Sequence, residues 1–263
     1  MTSLDDLPLS YSTVLCDLWG CVHDGHRLLP GVVDRLQRWQ AEGRQVLFVT
    51  NAPRSPAAIQ QQLDALGLPP GLHQGIVTAG ETGAAGLVGR PVGFLGTSED
   101  FADLTERGLV LIASGYDELA CAGLVDGRPQ VLDYEADLAA WREADVLMHC
   151  LNPDRIVHHM GETVVCAGAL ADRYEAMGGR VAWYGKPYPA IYDAALRLAG
   201  DPPHESVIAV GDGLVTDVLG AARASIACVF VTGGINLGLG IPEGFAARHG
   251  LGEWVPLMMV KSL

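Results

Sequence analysis

The sequence predicts an α/β fold built on a doubly wound parallel sheet. Two observations lead to it. Short apolar runs alternate with amphipathic helical patterns over most of the chain, which is the signature of strands joined by crossover helices. Several of those runs end abruptly in a polar or reactive residue followed by glycine or a turn, as strands do at the carboxyl edge of such a sheet. A third observation, a change of rhythm over residues 79–179, suggests that a second α/β domain is inserted. The predicted organisation is therefore 1–78 and 180–263 for one domain and 79–179 for the other.

The elements follow in order. Thr13–Cys16 reads as a buried strand, and Val32–Ala41 as a helix with Val32, Leu36 and Trp39 on one face. Gln45–Thr50, Q-V-L-F-V-T, is a second buried strand. Ser55 and Pro56 have the chemistry of an N-cap and a first helical position, opening a helix that Gly67 ends. Gly75–Thr78 is a third strand and leads into a Gly/Ala-rich helix reaching about residue 87. Within the middle section, 91–96, 109–114 and 146–151 read as strands and 136–144 and 164–177 as helices, with 119–125 ambiguous. The first rhythm then returns, with strands at 181–184, 206–210 and 226–231 and helices at 187–198 and 216–224. The tail from Gly233 is glycine-rich, with a short helical piece near 243–249.

Composition narrows the function classes. The 263 residues are 49% hydrophobic and 18% charged, enough apolar material for a sizeable core. A net charge of −14 argues against nucleic acid and anionic membrane as partners, because phosphate backbones need a basic surface. No apolar run approaches the roughly 20 residues that cross a bilayer. The acidic start M-T-S-L-D-D lacks the regions of a signal peptide, and the six cysteines show no C-x-x-C spacing. A cytoplasmic protein with reduced thiols is the expectation.

The chemistry is expected at four segment ends. Asp17 closes V-L-C-D, Thr50 and Asn51 close F-V-T-N, Lys186 stands in Y-G-K-P, and Asp212 with Asp217 occupies G-D-G-L-V-T-D. If all four follow strands of one parallel sheet, they converge on one rim. Two carboxylates, a lysine and a hydroxyl there suit a divalent cation and a phosphoryl group. Asp17 could attack phosphorus. Asp17 and Asp212 could each give Mg²⁺ one oxygen. Thr50 and the Asn51 N–H could bind phosphoryl oxygens, and Lys186 before a helix start could stabilise an anion. Asp217 could orient a water or pin Lys186.

The set D-L-W-G, F-V-T-N, G-K-P and G-D-G-L-V-T-D resembles the haloacid dehalogenase (HAD) superfamily, and more narrowly its NagD-like, p-nitrophenylphosphatase-like branch. N-P-D at 152–154 and C-A-G-A-L-A-D-R-Y-E-A-M-G-G at 166–179 look like that branch too. The resemblance implies a Rossmann-like core with an inserted α/β cap domain, and Mg²⁺-dependent hydrolysis of a small phosphorylated metabolite, a sugar or aryl phosphate, through an aspartyl-phosphate. It implies Asp17 as nucleophile, and Asp17, Asp212 and the Trp19 backbone carbonyl as metal ligands. Thr50 and Asn51 would bind phosphate, Lys186 would stabilise charge, and Asp217 would support. The cap is a possible homodimer surface.

One position departs from the pattern. Phosphatases of this superfamily usually carry Asp two residues after the nucleophile, as general acid for the leaving group; here that residue is Trp19. The carbonyl contact to a metal survives the change, but the proton donor does not. His23, in the same loop, is the candidate substitute acid. The alternative to an enzyme is a phosphometabolite-binding or regulatory homologue with little turnover.

Overall fold

The structure, a computed structural model, describes residues 3–159, 162–234 and 240–263. Its strands are β1 (Thr13–Cys16), β2 (Gln45–Thr50), β3 (Gly75–Thr78), β4 (Pro91–Leu95), β5 (Val110–Leu111), β6 (Glu118–Cys121), β7 (Leu147–Cys150), β8 (Ile156–His159), β9 (Glu162–Val165), β10 (Arg180–Trp183), β11 (Val207–Gly211), β12 (Ala227–Val231) and β13 (Met258–Val260). Its helices are α1 (Val32–Ala41), α2 (Pro56–Ala65), α3 (Ala79–Ala84), α4 (Ser98–Glu106), α5 (Glu135–Glu143), α6 (Ala167–Ala176), α7 (Pro189–Leu198), α8 (Leu219–Arg223) and α9 (Phe245–Arg248). The chain forms two compact units. One comprises Met1–Thr50, Gln60–Val77 and Lys186–Leu263; the other comprises Asn51–Ile59 and Thr78–Gly185.

The first unit is a Rossmann-like sheet of six strands in the order β13-β12-β11-β1-β2-β3. β1 is central and pairs in parallel with β11 on one side and β2 on the other. Alternation along these strands loads both faces. Leu15, Leu47, Val207 and Ala209 pack with Ile191, Tyr192 and Ala195 of α7 and Leu219 and Ala221 of α8. The intervening residues Val14, Cys16, Val46 and Phe48 point to the other face and are also buried, and α1 packs on β2. Strands buried on both faces must be apolar throughout, which is why β1, β2 and β11 read as continuous hydrophobic runs. In α1 the buried residues are Val32, Leu36 and Trp39, the face read from the sequence.

The second unit holds a parallel sheet in the order β10-β7-β6-β4-β5 and an antiparallel pair, β8-β9. Leu119, Met148 and Cys150 pack there against Leu170 and Tyr174 of α6 and Leu138 of α5.

Several expectations change. β10 pairs in register with β7, Arg180 opposite Leu147, so this strand belongs to the second sheet and the unit runs on to Gly185 rather than ending near residue 179. Residues 164 and 165 are strand, not helix. Their β-branched side chains suit the pairing of Val164 with Val157 and Val165 with Ile156, and the helix starts only at Ala167. α4 was not anticipated, although Thr97 and Asp100 form a capping box that marks its start. The helix expected over 216–224 opens instead as a π turn over Leu214–Val218, in which the Asp217 and Val218 N–H groups both donate to the Gly213 carbonyl, and continues as α8. Residues 235–239 of the glycine-rich tail lie outside the described residues.

Candidate active site

Three adjacent strands of the first sheet place the carboxylates and the hydroxyl. Cys16 of β1 lies level with Val210 of β11 and Phe48 of β2. Asp17 is the next residue after β1, and its N–H continues the ladder by donating to the Val210 carbonyl at 2.8 Å. Asp212 follows β11, and Thr50 ends β2. Parallel strands carry their carboxyl ends to one edge, so these three residues share it.

Lys186 arrives by a different route. It follows β10 of the second sheet by three residues and precedes α7, whose first residue is Pro189 and whose N-cap is Tyr188. It is neither at a strand end of the first sheet nor at the helix start. Its ammonium nevertheless donates to Asp17 Oδ1 at 2.6 Å and to Asp217 Oδ1 at 2.7 Å. Asp217 is itself fixed by the π turn: its Oδ2 accepts from the Gly213 N–H at 3.1 Å and from the Thr216 hydroxyl at 3.2 Å.

Asp212 sits where two glycines leave room. A Cβ on Gly20, which has φ of +78°, would fall 2.2 Å from Asp212 Oδ2, and one on Gly234 would fall 1.9 Å from the same atom. No side chain fits at either position, so the carboxylate is cradled by bare backbone. Donor atoms of Asp17, Cys21 and Asp212 all lie within 4.8 Å of one another. Cys21 joins this cluster unannounced. The sequence showed it only as a buried thiol, and the turn that brings it there, in which the Leu18 carbonyl accepts from the N–H groups of Cys21, Val22 and His23, has no motif of its own.

Burial makes the charges matter. Asp17, Lys186, Asp212 and Asp217 are 3–7% exposed. Asp17 and Asp217 thus share one ammonium in a site shielded from water, with Asp212 close to Asp17. Burial and the charge of Asp217 hold the Asp17 carboxyl well above its ordinary range, against the pull of Lys186. Burial alone would lower the Lys186 ammonium, but Asp17 and Asp217 outweigh it and hold it well above its ordinary value. A divalent cation would offset this crowding of carboxylates, and the oxygen donors of Asp17 and Asp212 are the kind a hard cation takes. The residues present therefore fit Mg²⁺.

Asn51 belongs to the second unit, where its Nδ2 donates to Asp154 Oδ1 at 2.8 Å. Trp19 is half-buried, and its ring meets the His23 ring edge to face at 5.3 Å between centroids. His23 is buried, and its Nδ1 accepts from the Gly25 N–H at 3.1 Å. Burial pushes the imidazole down to about 4, so it is neutral at pH 7. This has a measurable consequence for stability. A histidine with a depressed native pKa is protonated more readily in the unfolded chain, so stability present above pH 6.5 is lost as pH falls toward 4. Urea unfolding at pH 7 and near pH 4 should show the wild type losing up to about 3 kcal/mol more than His23→Gln over that interval. Equal losses in the two proteins would mean that His23 is protonated without penalty.

Residues 14–110 match the family model of haloacid dehalogenase-like hydrolases, and residues 183–238 match a second, HAD-hydrolase-like model. The chain belongs to the haloacid dehalogenase-like hydrolases. A hydrolase of this family from Brucella suis 1330 superposes with a TM-score of 0.87 at 29% identity, covering 99% of this chain and 98% of that one. Chronophin from Bos taurus is 25% identical over 244 residues, 85% of this chain and 81% of chronophin. The ribonucleotide monophosphatase NagD of Escherichia coli K12 is 40% identical over 86 residues, 32% of this chain and 33% of NagD. Within the family, these likenesses lie with the NagD-like branch. Both HAD-type models fall on the segments that carry the buried charges, the first on Asp17 and Thr50 and the second on Lys186, Asp212 and Asp217.

Proposed function

We infer that this HAD-type hydrolase cleaves phosphoric monoesters of small metabolites, with Asp17 as the nucleophile. The observation that carries the reading is the buried Asp17 carboxylate, hydrogen-bonded to Lys186 and grouped with Asp212. The monophosphatase activity of NagD supports the substrate class. In the first step an Asp17 oxygen bonds to phosphorus as the ester oxygen departs, leaving an aspartyl-phosphate. In the second, water displaces the carboxylate and inorganic phosphate leaves. Lys186 neutralises charge on the phosphoryl oxygens and keeps Asp17 oriented, while Asp217 fixes Lys186. Thr50 donates its hydroxyl to the phosphoryl group, and the Asn51 N–H assists.

Asp17, Asp212 and the Trp19 carbonyl would hold Mg²⁺, which offsets the negative charge of substrate and site when bound. The leaving oxygen receives no proton from Trp19, and the neutral His23 has no imidazolium proton to give. Departure of the leaving group then rests on its own stability, which favours aryl over alkyl esters. The six free cysteines fit a cytoplasmic setting.

The want of a proton donor also favours a second reading, a phosphometabolite-binding protein with little turnover. A panel of aryl, acyl and alkyl phosphates, with Mg²⁺ and after chelation, separates the two. Phosphate release from aryl esters that requires Mg²⁺ supports the enzyme. Binding of the same compounds with no release from any of them supports the binding protein and overturns the hydrolase.

A further inference from the structure

One side chain in the acidic cluster has no part in the reaction above. Cys21 is 1% exposed, and its thiol lies among the donor atoms of Asp17 and Asp212. Three other buried thiols are occupied as hydrogen-bond donors: Cys16 to the Asp17 carbonyl, Cys150 to that of Asn152 and Cys166 to that of Val164. Among the described residues Cys21 Sγ has no such partner. It is a buried, unpartnered sulfur set beside the two carboxylates that fit a cation. Its place is fixed by the backbone turn on the Leu18 carbonyl.

Sulfur changes which cations such a site prefers. Mg²⁺ takes hard oxygens and leaves a thiol as a bystander. Borderline and soft cations bind thiolate strongly, and their affinity for mixed N, O and S sites exceeds that of Mg²⁺. Two carboxylates and one sulfur make three side-chain ligands, the number that open zinc sites use.

We propose that Cys21 is a conditional metal ligand: the site takes Co²⁺, Zn²⁺ or Cd²⁺ through Cys21 sulfur together with Asp17 and Asp212, and these cations displace Mg²⁺. The thiol proton passes to solvent as the metal–sulfur bond forms. The inference rests on Asp17 and Asp212 as the divalent-cation site. It gives the protein a built-in sensitivity to thiophilic metals that an oxygen-only site would lack.

Cobalt reports directly on sulfur ligation. Full-length protein freed of metal by chelation is titrated with Co²⁺ and followed by absorption. The expected result is weak visible d–d bands from bound Co²⁺ and an intense sulfur-to-cobalt charge-transfer band in the near ultraviolet. Cys21→Ser should keep the visible bands and lose the charge-transfer band, and its Cd²⁺ affinity should fall at least about tenfold. Cys21→Ala, checked by circular dichroism, repeats the measurement in case serine disturbs the turn. Visible bands without charge transfer in the wild type would overturn the role of Cys21 and leave the carboxylate site standing. Charge transfer that persists in folded Cys21→Ser and Cys21→Ala would also overturn it, by assigning the sulfur to another cysteine. No Co²⁺ binding by the wild type would overturn the carboxylate site, and the inference with it.

Discussion

Asp17→Asn should lower Mg²⁺-dependent hydrolysis of aryl phosphates by at least about 10³-fold, because the amide cannot form the aspartyl-phosphate. Beryllofluoride, a phosphoryl mimic that caps an aspartate, should no longer be retained. The fold should survive. Asp17 is the residue after β1, and the bond that continues the strand comes from its backbone N–H, which asparagine keeps. Metal-free stability should even rise. The Asp17 carboxyl is held above its ordinary value, so the native state binds its proton more tightly than the unfolded chain does. Stability from this group is therefore lost as pH rises through that interval. Asparagine removes the cost while Asp217 still pairs with Lys186. A thermal melt of both proteins after chelation, at pH 7, checks this. Full Mg²⁺-dependent turnover in a correctly folded Asp17→Asn would remove Asp17 from the mechanism.

The second large effect concerns the leaving group. If the site has no donor for the departing oxygen, log kcat/KM across a series of aryl phosphates should fall steeply as leaving-group pKa rises, and alkyl phosphates should be hydrolysed slowest. Trp19→Asp places a carboxyl two residues after Asp17. General acid assistance is worth about 10² to 10⁴ in rate, so alkyl phosphates should gain by that order while good aryl leaving groups gain little. The measurement is the slope for the two proteins on one substrate series. A wild-type slope already flat would mean that some other group protonates the leaving oxygen. Removing the indole also takes away the edge-to-face partner of His23, so the variant needs its fold checked before its rates are compared.

Much of the first unit was legible because physics repeats itself there. Strands buried on both faces must be apolar at every position, and α1 shows its buried stripe at Val32, Leu36 and Trp39. The segment ends at Asp17, Thr50 and Asp212 stood out for the same reason, as polar residues terminating apolar runs. The second unit was harder to read. β10 and β1 look alike locally, yet one pairs with β7 and the other with β11, and pairing partners are a long-range property that no local pattern encodes. The sequence therefore reads the strand before Lys186 as one of the first sheet, whereas that strand, β10, pairs with β7. Residues 164 and 165 read as the start of a helix because a short apolar run has no distinct period. Cys21 was invisible because its proximity to Asp212 depends on a chain return from residue 212, and the turn that carries it uses backbone bonds alone.

The central position of β1 also bears on how the protein is made. Residues 13–16 leave the ribosome well before residues 207–210, their partners on one side. At roughly 5–20 residues per second, the strand that presents Asp17 waits on the order of 10–40 s with that side unpaired. An apolar strand with an open edge is a template for pairing with other chains, and such non-local pairing is slow to form. The strand that leads into Asp17 is thus a nascent-chain hazard, a place where a ribosome-associated chaperone would act. Slowing translation after residue 50 should increase aggregation of this chain more than slowing it after residue 211.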